Sequence, residues 1–109
     1  MADHTIIVLG RRRPPKVVPA MLLGSPRETV NFEWRGTGVQ IKFWRWPFTQ
    51  PESVITADSE GRSIDYTLRD WEKGVDEYSY SVFCSASGEL AVGGSEPGII
   101  IKRPSASGA

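Results

Sequence analysis

Apolar and polar residues alternate through much of this chain, and a period of two is typical of β-strands. Residues 29–34 alternate in this way. Their apolar side chains, which are expected to face a core, are Val30, Phe32 and Trp34. Their polar side chains, which are expected to face water, are Asn31 and Glu33. Residues 39–43 alternate again, with an inward set of Val39, Ile41 and Phe43. Because residues 35–38 contain two glycines suited to a tight turn, the two segments are predicted to form a β-hairpin.

Further strands are predicted on both sides of this hairpin. Residues 5–9 are mostly apolar and β-branched, and they end at a glycine. Residues 17–23 indicate a short strand that Pro19 confines to an edge or a bulge. Residues 78–84 form a clear strand, one face of which carries Tyr78, Tyr80, Val82 and Cys84. Residues 99–101 are three consecutive isoleucines, which indicate a buried final strand.

The remaining segments are less regular. Residues 64–68 alternate and predict a strand, whereas residues 51–62 are a polar excursion. A short helical turn is predicted at residues 70–73, ended by Gly74. Residues 85–97 are rich in glycine and serine and indicate a loop or a hairpin.

Short strands with turns between them predict an all-β fold, a single antiparallel Greek-key β-sandwich. The predicted domain spans residues 1–109, with an ordered core over about residues 5–102 and a flexible tail over residues 103–109. The predicted core is Ile6, Val8, Val30, Phe32, Trp34, Val39, Ile41, Phe43, Tyr78, Tyr80, Val82 and Ile99 or Ile101.

The order of these strands resembles the cupredoxin-like β-sandwich over roughly residues 17–102, and immunoglobulin-like sandwiches share much of the pattern. The segments that carry the resemblance are residues 29–34, residues 38–41, residues 78–82, Gly93-Gly94 and residues 99–101. Type-1 copper needs a Cys thiolate and two His. Val82 stands where the family has its ligand cysteine, Cys84 lies two residues later, and the sole histidine is His4. The resemblance therefore implies the fold without copper, and no cofactor is expected.

The net charge of zero conceals an uneven distribution of charge between the two halves of the sequence. The 109 residues carry 13 basic and 13 acidic side chains, which excludes a wholly basic nucleic-acid binder. Residues 1–50 nevertheless hold eight basic and three acidic groups, whereas residues 51–109 hold five basic and ten acidic groups. Such a division marks either a binding face or strands of opposite charge that pair within a sheet.

Two basic clusters are candidate binding sites. One interleaves aromatic and basic side chains, namely Lys42, Trp44, Arg45 and Trp46. This combination can stack bases or sugars and pair with phosphate. The alternative is that Trp46 and Phe48 cap the end of the sandwich and Trp44 covers the sheet, although the strand's alternation directs Trp44 outward. The other cluster, Arg11, Arg12 and Arg13, can bind phosphate or an acidic partner, or form a solvated loop.

Catalytic chemistry has little support. One cysteine and one histidine cannot build a zinc finger or a disulfide scaffold. The acidic residues between 65 and 77 have neither a nucleophile nor metal-ligand spacing beside them, and residues 58–61 match only part of a calcium loop. Cys84 is expected to be a small buried side chain. We therefore expect no enzyme, no catalytic residue and no metal site.

The expected function is binding. A protein partner or self-association through apolar edge strands is the first hypothesis. The alternative is an anionic ligand or single-stranded nucleic acid bound by the Arg/Trp clusters. No segment has the apolar length of a membrane helix, and the apolar stretch after the arginines is interrupted by Pro19. No membrane partner is expected, and the cytoplasm is the expected location.

Overall fold

The structure is a computed structural model that describes residues 2–9, 16–35, 38–52, 54–57, 60–84, 89–90 and 97–103. Within these ranges it contains eleven β-strands and no helix. The strands are β1 (His4–Leu9), β2 (Lys16–Val18), β3 (Met21–Gly24), β4 (Thr29–Arg35), β5 (Val39–Phe43), β6 (Val54–Ala57), β7 (Gly61–Arg62), β8 (Tyr66–Thr67), β9 (Tyr78–Cys84), β10 (Glu89–Leu90) and β11 (Gly98–Ile101).

The first sheet has the order β2-β1-β4-β7, and β8 also pairs with β4. β1 runs parallel to β4, with Ile6 opposite Phe32, and β2 runs antiparallel to β1. β7 and β8 both run antiparallel to β4. Between these two short strands, the Ser63 amide donates to the Phe32 carbonyl at 2.8 Å, and the Ser63 hydroxyl accepts from the Phe32 amide at 2.8 Å. β7 and β8 therefore form one interrupted edge.

The second sheet has the order β3-β11-β9-β5-β6, with β10 also paired to β9. β3 runs parallel to β11, and Met21 lies opposite Gly98, 77 positions later in the chain. The other pairs in this sheet are antiparallel. Rings from the two sheets meet in one core: Phe32 of the first lies 6.3 Å from Phe43 and 6.0 Å from Tyr80 of the second.

The predicted all-β sandwich is confirmed, and one detail of its pairing differs. Both sheets are mixed, because β1–β4 and β3–β11 are parallel pairs. Alternating burial reports which face of a strand meets the core and carries no information on the direction of its neighbour. Parallel neighbours need long connections. Here the chain supplies them by crossing to the opposite sheet before it returns.

The predicted hairpin of β4 and β5 is wrong, because the two strands lie in different sheets. β4 is flanked by β1 on one side and by β7 and β8 on the other, whereas β5 is flanked by β9 and β6. Two consecutive amphipathic strands show the same alternation of buried and exposed residues whether they pair as a hairpin or lie in opposite sheets of a sandwich. The pattern therefore gave the correct inward residues and the wrong connection.

The predicted core is confirmed at every position, including both Ile99 and Ile101. Five further buried side chains were missed because they lie in short or irregular segments; they are Leu22, Phe48, Ile55, Tyr66 and Leu68. Residues 51–62 also contain β6, although they read as a polar excursion. The side chain of Cys84 and residues 104–109 of the predicted tail lie outside what the structure describes.

Two local predictions are corrected. Asn31 is 5% exposed instead of facing water, since its Oδ1 accepts a hydrogen bond from the Thr5 hydroxyl on β1 at 2.7 Å. β4 lies inside its sheet, so strands on both sides flank its outer side chains. The predicted helical turn is a tight turn, in which the Val75 amide donates to the Glu72 carbonyl at 3.2 Å. Gly74 supplies its positive φ of 88°.

Candidate binding surface

Trp44 and Trp46, two residues apart, have different surroundings. Trp44 continues the outward alternation of β5 and is 66% exposed, as the pattern predicts. Trp46 is half-buried, because the chain leaves the sheet after Trp44. Its ring lies 5.4 Å from Phe43, 5.0 Å from Phe48 and 5.6 Å from Tyr66. Its indole N–H donates to the Gln50 carbonyl at 2.5 Å. Trp46 therefore closes one end of the aromatic core.

The basic residues of this cluster are also separated. Arg45 is 3.5 Å from the Glu72 carboxylate, in an ion pair whose two side chains are about half exposed. Lys42 lies on the outer face of β5, two residues from Trp44 on the same side of the strand. Lys42, Phe43, Trp44 and Ser81 line a shallow groove of about 480 Å³. Of the four predicted residues, the structure thus brings Lys42 and Trp44 together. Arg11, Arg12 and Arg13 lie outside the described residues.

The outer face of the second sheet places small side chains beside Trp44. The backbone amide of Trp44 donates a hydrogen bond to the Ser79 carbonyl at 3.1 Å, and Lys42 is opposite Ser81 on the neighbouring strand. Phe83, 38% exposed, extends the same face of β9. We call this surface the Trp44 face; its members are Lys42, Trp44, Ser79, Ser81 and Phe83. The serines are short and half-buried, whereas Trp44 is mostly exposed.

The row that contains Trp44 continues across the sheet. Ser79 is opposite Gly98, and Gly98 is opposite Met21. A Cβ on Gly98 would lie 3.0 Å from Oε2 of Glu77 and 3.3 Å from both Sδ and Cε of Met21, so a carboxylate and a thioether both lie over the glycine. The exposed residues Trp44 and Met21, together with the Glu77 carboxylate, therefore surround two small residues. The Trp44 face is in this way continuous with the outer surface of β3.

A second groove, of about 690 Å³, lies on the first sheet. It is lined by Leu9, Glu33, Trp34, Arg35, Glu60, Gly61 and Arg62. Arg35 approaches Glu33 to 2.6 Å, and Arg62 approaches its other oxygen to 2.9 Å. Hydrogen bonds from Arg62 and then from Arg35 hold the pKa of the Glu33 carboxyl below its ordinary value. The pair of arginines was missed because they are 27 positions apart, and only the β4–β7 register brings them together.

These ion pairs bear on the charge asymmetry of the chain. Glu33 and Arg62, Arg45 and Glu72, and Arg27 and Asp70 each join the first half of the sequence to the second. Arg62 and Glu33 are direct neighbours across two strands. Arg45–Glu72 and Arg27–Asp70 match the sign of the asymmetry but join residues outside the strands. Glu33–Arg62, which does join two paired strands, has the opposite sign. Pairing of oppositely charged strands therefore stays a prediction.

Within the described ranges, no group of three or more His, Cys, Asp or Glu side chains is arranged to hold a metal ion. A search of the same residues found no helix with the length and apolarity to cross a membrane. No protein-family model matches this chain, and no curated protein matches it significantly.

Proposed function

We propose that this chain is a non-catalytic β-sandwich that binds another protein through the Trp44 face. The observation that carries the proposal is the 66% exposure of Trp44, the residue that directly follows β5, where burial of so large a ring would normally be favoured. Tryptophan is enriched among the residues that dominate binding energy at protein interfaces. Exposed apolar side chains grouped on one face are typical of interaction sites.

The surroundings of Trp44 support this proposal. The short side chains of Ser79 and Ser81 leave room beside the indole for an apolar side chain of a partner. Lys42 at the margin supplies a charge that remains solvated when the centre is covered, as in the polar rim of an interface. The second apolar ring on this face, Phe83, extends the contact along β9.

For the fold and the compartment, we propose a copper-free cupredoxin-like or immunoglobulin-like sandwich that acts in the cytoplasm. The packing of two sheets around one core supports the first part. The single cysteine supports the second, because this chain has no internal disulfide to form in an oxidising compartment. The resemblance carries a fold to this chain and no activity.

The test places the photo-crosslinking residue p-benzoyl-phenylalanine at position 44 of the full chain, in the cells that normally make it. The matched control has the same residue at Ile64, which is 59% exposed and lies between β7 and β8 of the first sheet. Irradiation is expected to yield a discrete heteromeric product from position 44 that is absent from position 64. Identical product patterns from both positions would refute the proposal.

The second candidate is an anionic ligand or single-stranded nucleic acid bound by the same face. The observation that favours it is the groove shared by the Lys42 ammonium and the Trp44 ring. A base stacked on the indole beside a phosphate on the lysine is a common arrangement for single strands. Arg11, Arg12 and Arg13 are the further basic residues proposed to take part.

Titration with oligo(dT) at low salt separates the two candidates. Nucleic-acid binding predicts quenching of tryptophan fluorescence that is lost in Trp44→Ala and weakens as salt is raised. Trp71→Phe is the matched control, because Trp71 packs beside the core under Arg103. Unchanged fluorescence and unchanged electrophoretic mobility would exclude this second candidate.

A further inference from the structure

Among the residues that the structure describes, β3 is the outermost strand of the second sheet and presents a neutral open edge. It pairs with β11 on one side, and it ends the strand order of its sheet. From Pro19 to Pro26 the sequence contains no charged residue. Met21 and Leu23 are 39% and 51% exposed. An apolar, uncharged edge is a template for a further strand, and proteins usually protect such edges.

Hydrogen bonds to β11 establish which backbone groups of β3 point outward. The Gly98 amide donates to the Ala20 carbonyl at 2.9 Å, and the Lys102 amide donates to the Gly24 carbonyl at 2.7 Å. In a parallel pair the residues that bond to a given neighbour alternate. Leu22 and Gly24 therefore bond to β11. The amides and carbonyls of Met21 and Leu23 are directed away from the sheet.

The edges of the first sheet are protected by comparison. β2 is three residues long, carries Lys16 and is followed directly by Pro19. The opposite edge is broken between β7 and β8 and carries Arg62. Short strands, lysine, proline and interrupted pairing are the usual devices against edge-to-edge association. β3 is also short, at four residues, and has a proline on each side, but it carries no lysine and its pairing with β11 is uninterrupted.

We propose that β3 pairs antiparallel with β3 of a second copy of this chain, about a two-fold axis through Leu22. Met21 is then opposite Leu23 of the second copy, and Leu23 is opposite its Met21. The amides and carbonyls of Met21 and Leu23 point out of the sheet in both copies. Each Met21–Leu23 pair can therefore exchange two hydrogen bonds, and the two pairs form four. The paired segments themselves bring no like charges together, since the sequence between Pro19 and Pro26 is neutral; the Glu77 carboxylate beside this row lies over Gly98 of the neighbouring strand. This self-complementarity selects a second copy as the occupant.

The pairing extends the second sheet of each copy into one continuous sheet. A two-fold axis perpendicular to the sheet leaves the outer faces of both copies on the same side. The two copies of Trp44 then lie on one surface, and the dimer offers two Trp44 faces to a bivalent partner. Because the contact is one short strand against another, the dimer is expected to dissociate on dilution.

Sedimentation velocity of the full chain over roughly 10 µM to 1 mM tests the proposal, a range suited to weak association. The wild-type chain is expected to shift reversibly from monomer to dimer. Met21→Lys/Leu23→Lys and Met21→Glu/Leu23→Glu place like charges opposite each other, so each is expected to remain monomeric alone. An equimolar mixture of the two is expected to restore the dimer, because lysines then face glutamates.

Two controls distinguish this edge from others. Ile64→Lys adds a charge at an exposed apolar position of the first sheet and is expected to leave association unchanged. Thr56→Lys adds one to β6, at the opposite edge of the second sheet. If Thr56→Lys abolishes the dimer while the Met21/Leu23 variants retain it, the proposal is wrong. A wild-type chain that is monomeric at every concentration, or a mixture that stays monomeric, also overturns it.

Hydrogen exchange on the wild-type chain tests the pairing without any substitution, so effects of a mutation on folding do not enter the measurement. The amides of Met21 and Leu23 are expected to gain protection as concentration rises, while that of the outer-strand residue Thr56 does not. Exchange at Met21 and Leu23 that is independent of concentration contradicts the proposal. The crosslinking experiment at position 44 uses a heteromeric product as its readout, so either proposal can fail while the other stands.

Discussion

The Cδ1 methyl group of Leu68 lies 2.6 Å from the point where a Cβ on Gly24 would stand. Leu68 is completely buried, and Gly24 is the last residue of β3. The two residues belong to different sides of the sandwich, so this contact determines how closely the end of β3 approaches the segment after β8. The Lys102 amide, which donates to the Gly24 carbonyl at 2.7 Å, restricts movement of the glycine away from the leucine.

Gly24→Ala is expected to lower the free energy of unfolding by about 1–3 kcal/mol, the usual cost of overpacking a close-packed core. Urea unfolding measures the change. Gly61→Ala is the matched control, because a Cβ there would be 3.4 Å from the nearest Trp34 atom, within ordinary contact. In a Leu68→Ala background the added cost of Gly24→Ala should shrink, since the obstructing methyl group is gone. Equal costs in both backgrounds would contradict this explanation.

Tyr80→Phe is expected to leave stability unchanged or raise it by up to about 1 kcal/mol. The Tyr80 ring is fully buried between the sheets, and its hydroxyl has no hydrogen-bond partner among the described residues. A buried hydroxyl without a partner costs free energy that phenylalanine does not incur. Tyr66→Phe is the contrasting variant, because the Tyr66 hydroxyl donates to Glu52 at 3.2 Å. That variant is expected to lose about 1 kcal/mol.

The same tyrosines make the fold sensitive to alkali. Burial raises the pKa of Tyr80 above its ordinary value of 10, and burial together with Glu52 raises the pKa of Tyr66 to about 12. A group whose pKa is raised on folding stabilises the fold below its unfolded pKa and loses that contribution as pH rises. Stability is therefore expected to fall from about pH 10 upward. Tyr80→Phe should make this decline less steep; an identical slope would contradict the assignment.

Glu33→Gln is expected to reduce stability at neutral pH and to have less effect in acid. The pKa of Glu33 is lowered from its ordinary 4.5 by hydrogen bonds from Arg62 and Arg35. A lowered pKa means that the carboxylate stabilises the fold above its unfolded pKa and loses this contribution as pH falls through its folded value. Melting temperatures between pH 7 and pH 2.5 measure the effect. Asp76→Asn, at an exposed acidic position, is the control, and a Glu33 effect that is constant with pH would be inconsistent with this ion cluster.

Trp44→Ala and Trp46→Ala are expected to have different effects on the free energy of unfolding, because Trp44 is exposed and Trp46 packs against the core. Trp44→Ala should change the free energy of unfolding by less than about 0.5 kcal/mol, as is usual for exposed positions. Trp46→Ala should cost roughly 2–4 kcal/mol, somewhat below the range for a fully buried ring. Acrylamide quenching of tryptophan fluorescence should decrease in Trp44→Ala, since the most accessible indole is removed. Equal destabilisation by both variants would contradict the separation.

The inward residues of the strands could be predicted from the sequence because each regular strand has one buried face. Ile6, Phe32, Ile41 and Tyr80 follow directly from that alternation. The neighbours of each strand could not be predicted, since pairing is made by backbone groups that every residue carries. Leu68 and Phe48, joined by an isolated bridge, were missed for a related reason. Phe48 lies in a segment without a period of two, and the alternation over residues 64–68 did not show which of its apolar residues are buried, since Leu68 is buried and Ile64 is 59% exposed.

The residues of the candidate binding surface could also be predicted only in part from the sequence. Trp44 follows from strand parity, because Val39, Ile41 and Phe43 face inward. Trp46 agrees with the alternative interpretation, in which Trp46 and Phe48 cap the end of the sandwich, since its ring packs against Phe43 and Phe48. The approach of Arg35 to Arg62 depends on long-range register. Strand parity therefore places Trp44, the aromatic composition suggests the position of Trp46, and the contacts made by long-range register could not be predicted.

Because β3 pairs with β11, β3 is synthesised long before the strand that it joins in the sheet. Met21 leaves the ribosome 77 residues before Gly98, the residue it lies opposite. Until then β3 has neither edge occupied, and its apolar residues Leu22 and Leu23 have no completed sheet to join. Chains released before position 98 are expected to accumulate in aggregates or on chaperones, because unpaired strand edges promote association of incomplete folds. Synthesis of β11 is thus expected to be required before β3 can join the second sheet.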